Sequence, residues 1–128
     1  MKIAIIIVRV LLGALFIFSA AAVLFNLVEQ PPLTGAMLKF NDGMIATGYL
    51  LKLIKVTELI CGIALVVGLF APLATVVIFP ISINIFFVHA FLAPEGMPIA
   101  IFVILANLFL AYNYRKHYTS LFLAKPLY

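Results

Sequence analysis

The chain has 128 residues, of which 67% are hydrophobic and only 9% charged, and its net charge is +4. A soluble domain is roughly 45–50% apolar and about 25% charged, and a chain this short cannot bury so much apolar surface in a water-soluble core. The solvent is therefore lipid, and cations gathered near the two termini fit orientation in a membrane better than nucleic-acid binding.

A membrane-spanning helix needs about 20 mostly apolar residues. The sequence predicts four, over 3–27, 48–70, 73–92 and 98–113, so 1–128 reads as one all-α, polytopic four-transmembrane-helix bundle. The first run carries Arg9 as its only charge. Lys2, Arg9 and Ser19-Ala20-Ala21-Ala22 imitate a signal peptide. The apolar run continues through Val23-Leu24-Phe25, which favours a retained helix. Val28 to Met44 then forms the longest loop, opened by Glu29-Gln30-Pro31-Pro32 and closed by Asn41-Asp42-Gly43. Its middle, Leu33 to Phe40, reads as a short interfacial helix. Ala71-Pro72 makes a tight turn after the second span, and Ala93 to Met97 joins the third to the fourth. Pro72 and Pro98 suit helix starts, where proline costs no helical hydrogen bond. Pro80, inside the third span, should kink it.

Orientation follows from the cations. Lys2 and Arg9 flank the start, and Arg115, Lys116 and Lys125 follow the last span. The long loop carries Glu29, Lys39 and Asp42, and the third connection only Glu95. Both termini are therefore expected in the cytoplasm, with those two loops external. Tyr112, Tyr114 and Tyr118 then anchor the inner interface, and Leu121-Phe122-Leu123 lies flat upon it.

Ionisable groups are costly in a bilayer, so each should face a partner, a cavity or the interface. Arg9 shares a helical face with Gly13, Phe16 and Ala20. Small residues mark helix contact surfaces, so Arg9 either points into the bundle or snorkels to the headgroups. Glu58 lies well inside the second span, with Lys55 one turn before it and Gly62 one turn after. Its side chain leans toward the external end, toward Lys55. This is either a polar pocket in the outer half of the bundle or a buried ion pair that fixes register. His89 lies at the depth of Lys55 and suits the same pocket, or is an interfacial histidine. Asn84 is about 140° from His89 around the helix, so the two cannot point straight at one spot. Asn84 and Asn107, both at mid-membrane, read as an interhelical polar contact. Gly13, Gly62 and Gly68 read as helix-packing positions. One cysteine, Cys61, excludes dithiol chemistry within the chain, and His89 and His117, far apart and without nearby cysteines, do not read as a metal site.

The run Glu58-Leu59-Ile60-Cys61-Gly62, continuing through Gly68 to Pro72, resembles the signature of the DoxX family. Arg9, Gly13 and Phe16 resemble that family's first-helix pattern. The resemblance implies a compact four-helix bundle in the bacterial cytoplasmic (inner) membrane. The family takes its name from a subunit associated with a thiosulfate:quinone oxidoreductase, and other members are thought to be membrane partners of redox or thiol-stress proteins. A complete thiosulfate:quinone enzyme also needs a second component, for which the sequence offers no segment. Arg9 and Glu58 are the positions carried over as functional.

Three readings follow. In the first, the chain is an accessory membrane subunit of a redox/quinone-linked or thiol-stress system, and Arg9, Lys55, Glu58 and His89 line a pocket. Quinone is the expected ligand and a peripheral or membrane oxidoreductase the expected partner, since no flavin, haem or iron–sulfur motif is present. In the second, it is a non-catalytic scaffold whose polar residues lock the helices. In the third, it is a small lipophile binder or isomerase-like protein, with transport open to a homo-oligomer only.

Overall fold

The computed structural model describes residues 2–27 and 32–125, and every regular element among them is helical. Helix α1 covers Lys2–Leu24, α2 Gly35–Ala46, α3 Leu50–Val67, α4 Ala71–Phe91 and α5 Met97–Asn113. Short 3-10 segments cover Pro94–Gly96 and Arg115–Phe122. Among the described residues, Lys2–Leu24, Ala71–Phe91 and Pro94–Asn113 are long and apolar enough to cross a membrane. Helix α3 has 18 residues but carries Lys52, Lys55 and Glu58, so charge rather than length sets it apart.

The four longest helices close into a ring. α1 lies along α3, α3 against α4, α4 against α5, and α5 returns to α1. Leu12, Phe16, Leu65, Ile78, Val103 and Leu110 fill the centre. The outside is apolar too, with Ile3, Phe18, Ile60, Leu73 and Leu105 all exposed. Helices apolar all round belong in lipid, where intrahelical hydrogen bonds satisfy the backbone.

The tightest contact is between α1 and α3. A Cβ built on Gly13 would sit 2.7 Å from the Gly62 carbonyl oxygen, and one on Gly62 would sit 2.8 Å from that of Gly13. Two glycines facing each other let the backbones touch, which is how helices associate where the hydrophobic effect offers no drive.

A buried polar chain joins α4 to α5. Ser82 Oγ donates to Asn107 Oδ1 at 2.7 Å, and Asn107 Nδ2 donates to the Thr75 carbonyl at 3.1 Å. The α4 partner of Asn107 is therefore Ser82, about half a turn nearer Pro72 than the expectation for Asn84. Helix α4 continues through Pro80, whose missing N–H leaves the Val76 carbonyl without its helical donor.

The segment before α3 departs from expectation. Asn41-Asp42-Gly43 does not close a loop but lies inside α2, which starts two residues later than Leu33 and runs six past Phe40. Glu29, Gln30 and Pro31, the expected opening of that loop, lie outside the described residues. The far end differs as well. Tyr118 is buried rather than anchored in an interface, and its hydroxyl donates to the Pro72 carbonyl at 2.7 Å. Burial raises its pKa above the ordinary 10.0. Tyr112 stays exposed beneath the Arg115 guanidinium, 4.2 Å from its ring centre.

Candidate functional site

The buried stripe of α3 is Glu58, Cys61, Gly62 and Leu65, spaced i, i+3, i+4 and i+7. Glu58 is thus held inward by the same periodicity that packs Leu65, and it is 2% exposed. Lys55, one turn earlier, places Nζ 3.0 Å from Glu58 Oε2. The same ammonium donates to Ser19 Oγ on α1 at 3.1 Å. At that distance the ammonium is the ion-pair partner of Oε2, an oxygen buried away from solvent.

Beside the pair lies a cleft of about 120 Å³ between α2, α3 and α4. Phe40 and Met44 of α2 form one wall, and Lys55 and Glu58 of α3 another. Ile81, Asn84, Ile85 and Val88 make a stripe along α4, with His89 flanking it. Asn84 and His89 therefore reach one cleft despite their angular separation, because the cleft runs along α4 instead of converging on a point. Asn84 is exposed there, which fits a cleft lining and not a helix contact.

His89 is fixed by the end of its helix. Its Nδ1 lies 3.1 Å from the Ala93 carbonyl oxygen, and a carbonyl only accepts, so Nδ1 carries the proton. A Cβ on Gly96 would overlap the imidazole ring, so the bare glycine makes room for it.

Arg9 does not belong to this cleft. Its guanidinium lies against Gly68, where an added Cβ would come within 2.9 Å of Nη1. Thirteen residues of α3 separate Gly68 from Lys55, about 20 Å along the helix. The helices α1 and α3 are antiparallel, so Arg9 and the cleft occupy opposite ends of the bundle. Arg9 Nε is buried and has no hydrogen-bond partner among the described residues. Gly68 itself ends α3 at φ 82°, a left-handed conformation that glycine adopts without strain.

The sequence singles out Lys55, Glu58 and His89 by charge, but it does not single out Ser19, Phe40 or Met44. Ser19 follows the buried Phe16 by three residues and so flanks the inward face of α1, which is the signal that marks it. Phe40 and Met44 are four apart on α2, the spacing of a helix face.

The cleft thus brings together an ammonium, a buried carboxylate, an imidazole and an amide. Such a set hydrogen-bonds a polar head and can hold or move a proton. Among the described residues, no group of three or more His, Cys, Asp or Glu side chains is placed to hold a metal ion. Neither a curated relative nor a solved structure matches the chain. A family model described as DoxX matches residues 4–90. That match takes in Arg9, Lys55, Glu58, Asn84 and His89, along with the Gly13–Gly62 crossing, and the chain belongs to the DoxX family.

Proposed function

We propose that this is a membrane partner subunit of a redox- or quinone-linked system in the bacterial cytoplasmic membrane. In this reading α1, α3, α4 and α5 all span the bilayer and both termini are cytoplasmic. The charge distribution supports that orientation. Tyr118 bonds to Pro72, which puts Arg115 and Lys116 at the Gly68 end of the bundle, the end that also holds Arg9. The cleft then lies in the outer half.

One observation carries the functional reading: Glu58, almost wholly buried and paired with Lys55, lines a cleft that also takes in Asn84 and His89. The cleft, about 120 Å³, is smaller than a cavity of about 150 Å³ that takes a benzene ring, so it seats the polar edge of a quinone-type head and leaves the rest of the ring and the tail in lipid. Lys55, Asn84 and His89 orient such a head, and Glu58 exchanges its proton. The electron carrier is the partner protein or the ligand itself. Gentle native purification followed by identification of co-purifying proteins tests the assignment. A stoichiometric oxidoreductase is expected, and repeated recovery of the chain without one would refute the partner role.

A scaffold role is the second reading, favoured by Lys55 tying Ser19 of α1 to Glu58 of α3. In that case Glu58→Ala lowers abundance and cellular function in parallel. Loss of function at normal abundance would exclude it.

A further inference from the structure

We infer that a second, apolar groove, between α4, α5 and the 3-10 segment Arg115–Phe122, holds one acyl chain of an anionic glycerophospholipid whose phosphate rests on Arg115 and Lys116. The groove shares no residue with the Glu58 cleft, and the inference stands independently of that site.

Val76 and Phe79 of α4, Leu108 and Ala111 of α5, and Tyr118 and Leu121 of the 3-10 segment line this groove, which measures about 410 Å³. The hydroxyl protons in its wall are already spent. Thr75 Oγ1 donates to the Ala71 carbonyl, and Tyr118 to that of Pro72. The groove therefore offers hydrocarbon contact in place of hydrogen bonds. A cavity of about 150 Å³ takes benzene, so this one, nearly three times larger, has room for a chain of roughly sixteen carbons. The charge at its end fixes the head. Side chains three apart eclipse in a 3-10 helix, so Arg115 lies on the face that carries Tyr118 and Leu121. On α5, Leu108, Ala111 and Tyr112 share a face, and the Arg115 guanidinium stacks over the Tyr112 ring. Both relations put Arg115 at the polar end of the groove. One of its N–H groups donates to the Tyr112 carbonyl at 2.8 Å, and the exposed guanidinium keeps others for a phosphate. Lys116 is exposed beside it. Among the described residues the acids Asp42, Glu58 and Glu95 lie toward the opposite end, so none competes for these cations. A second copy seated here about a two-fold axis would set its own Arg115 and Lys116 against these, like charge on like. An anionic headgroup complements them instead.

The test uses the full chain, delipidated in a nonionic detergent and titrated with dioleoyl phosphatidylglycerol or dioleoyl phosphatidylcholine, with bound lipid counted by native mass spectrometry. The two lipids share their chains and differ in net charge. One phosphatidylglycerol per chain is expected, held about tenfold or more tightly than phosphatidylcholine, the scale of two cations near an anionic lipid. Arg115→Gln with Lys116→Gln is expected to narrow that preference to within about threefold. Ala111→Phe fills the groove and is expected to lower retention of both lipids about tenfold or more. If Ala111→Phe does not accumulate, the two lipids on the parent and on the Arg115→Gln, Lys116→Gln variant decide. Equal retention of the two lipids by the parent, or a preference that survives loss of both cations, overturns the inference. Retention unchanged by Ala111→Phe overturns it as well, and so does a dimer that Ala111→Phe splits, which assigns the groove to a second copy.

Discussion

Glu58 and Lys55 stabilise the fold only as a pair. Removing the carboxylate in Glu58→Ala leaves a largely buried ammonium facing a vacated position, and comparable changes cost about 3–5 kcal/mol. A fall of that size is expected in thermal unfolding of the detergent-solubilised protein. Replacing both partners, as Lys55→Met with Glu58→Leu, removes the desolvation penalty together with the attraction, so this double variant is expected to melt at or above the parent. Tyr118→Phe deletes the bond to the Pro72 carbonyl and is expected to cost about 1 kcal/mol. Burial raises the Tyr118 pKa, so its contribution is fully present below the ordinary value of 10.0 and is lost as pH rises through the higher folded value. Tyrosinate absorbance should therefore show one late-titrating group in the parent that Tyr118→Phe lacks. Glu58 and Lys55 are legible in the sequence because charge stands out in an apolar run. The level of Arg9 is legible in the same way once antiparallel spans are counted, since an arginine near the start of α1 faces the end of α3 rather than Lys55. Ser19 and Ser82 are not, because serine is tolerated on any face of a membrane helix.

The Gly13–Gly62 crossing sets how closely α1 and α3 approach. Even alanine at Gly13 brings its Cβ to 2.7 Å from a backbone oxygen, which no rotamer change relieves. Gly13→Ala and Gly62→Ala are each expected to cost about 1–3 kcal/mol, the range for overpacked sites, measured as a lowered unfolding midpoint. This element pair is readable from sequence, since Gly13, Phe16 and Ala20 fall on one helical face. Helix α2 is not readable in the same way. Asn41, Asp42 and Gly43 favour turns, yet propensity is a weak prior that packing overrides, and here α2 packs on α3 while Phe40 and Met44 face the cleft. Because α2 forms a wall of the cleft, Phe40→Ala should weaken retention of a lipophile bound there while moving the unfolding midpoint far less than Gly13→Ala does.

At the scale of the whole molecule, an apolar ring of helices with Arg9, Arg115 and Lys116 at one end and a carboxylate-bearing cleft at the other makes a definite topological prediction. In a Cys61→Ala background, a cysteine at Asp42 should react with an impermeant maleimide from outside intact cells. One at Ser120 should react only after the membrane is opened. The reverse pattern would move the cleft to the cytoplasmic half. The composition makes the membrane legible, but the cleft's three-sided enclosure depends on where α2 folds back, which hydropathy does not encode. The central claim is that the Glu58 cleft holds the head of a lipophile. The most direct measurement is native mass spectrometry of the parent and of the Lys55→Met, Glu58→Leu double variant, both purified gently from the same membranes. One ring-bearing lipophile per chain is expected on the parent, with its loss from a double variant that remains folded. An identical ligand profile on the two proteins, or bulk lipid alone on the parent, would contradict it.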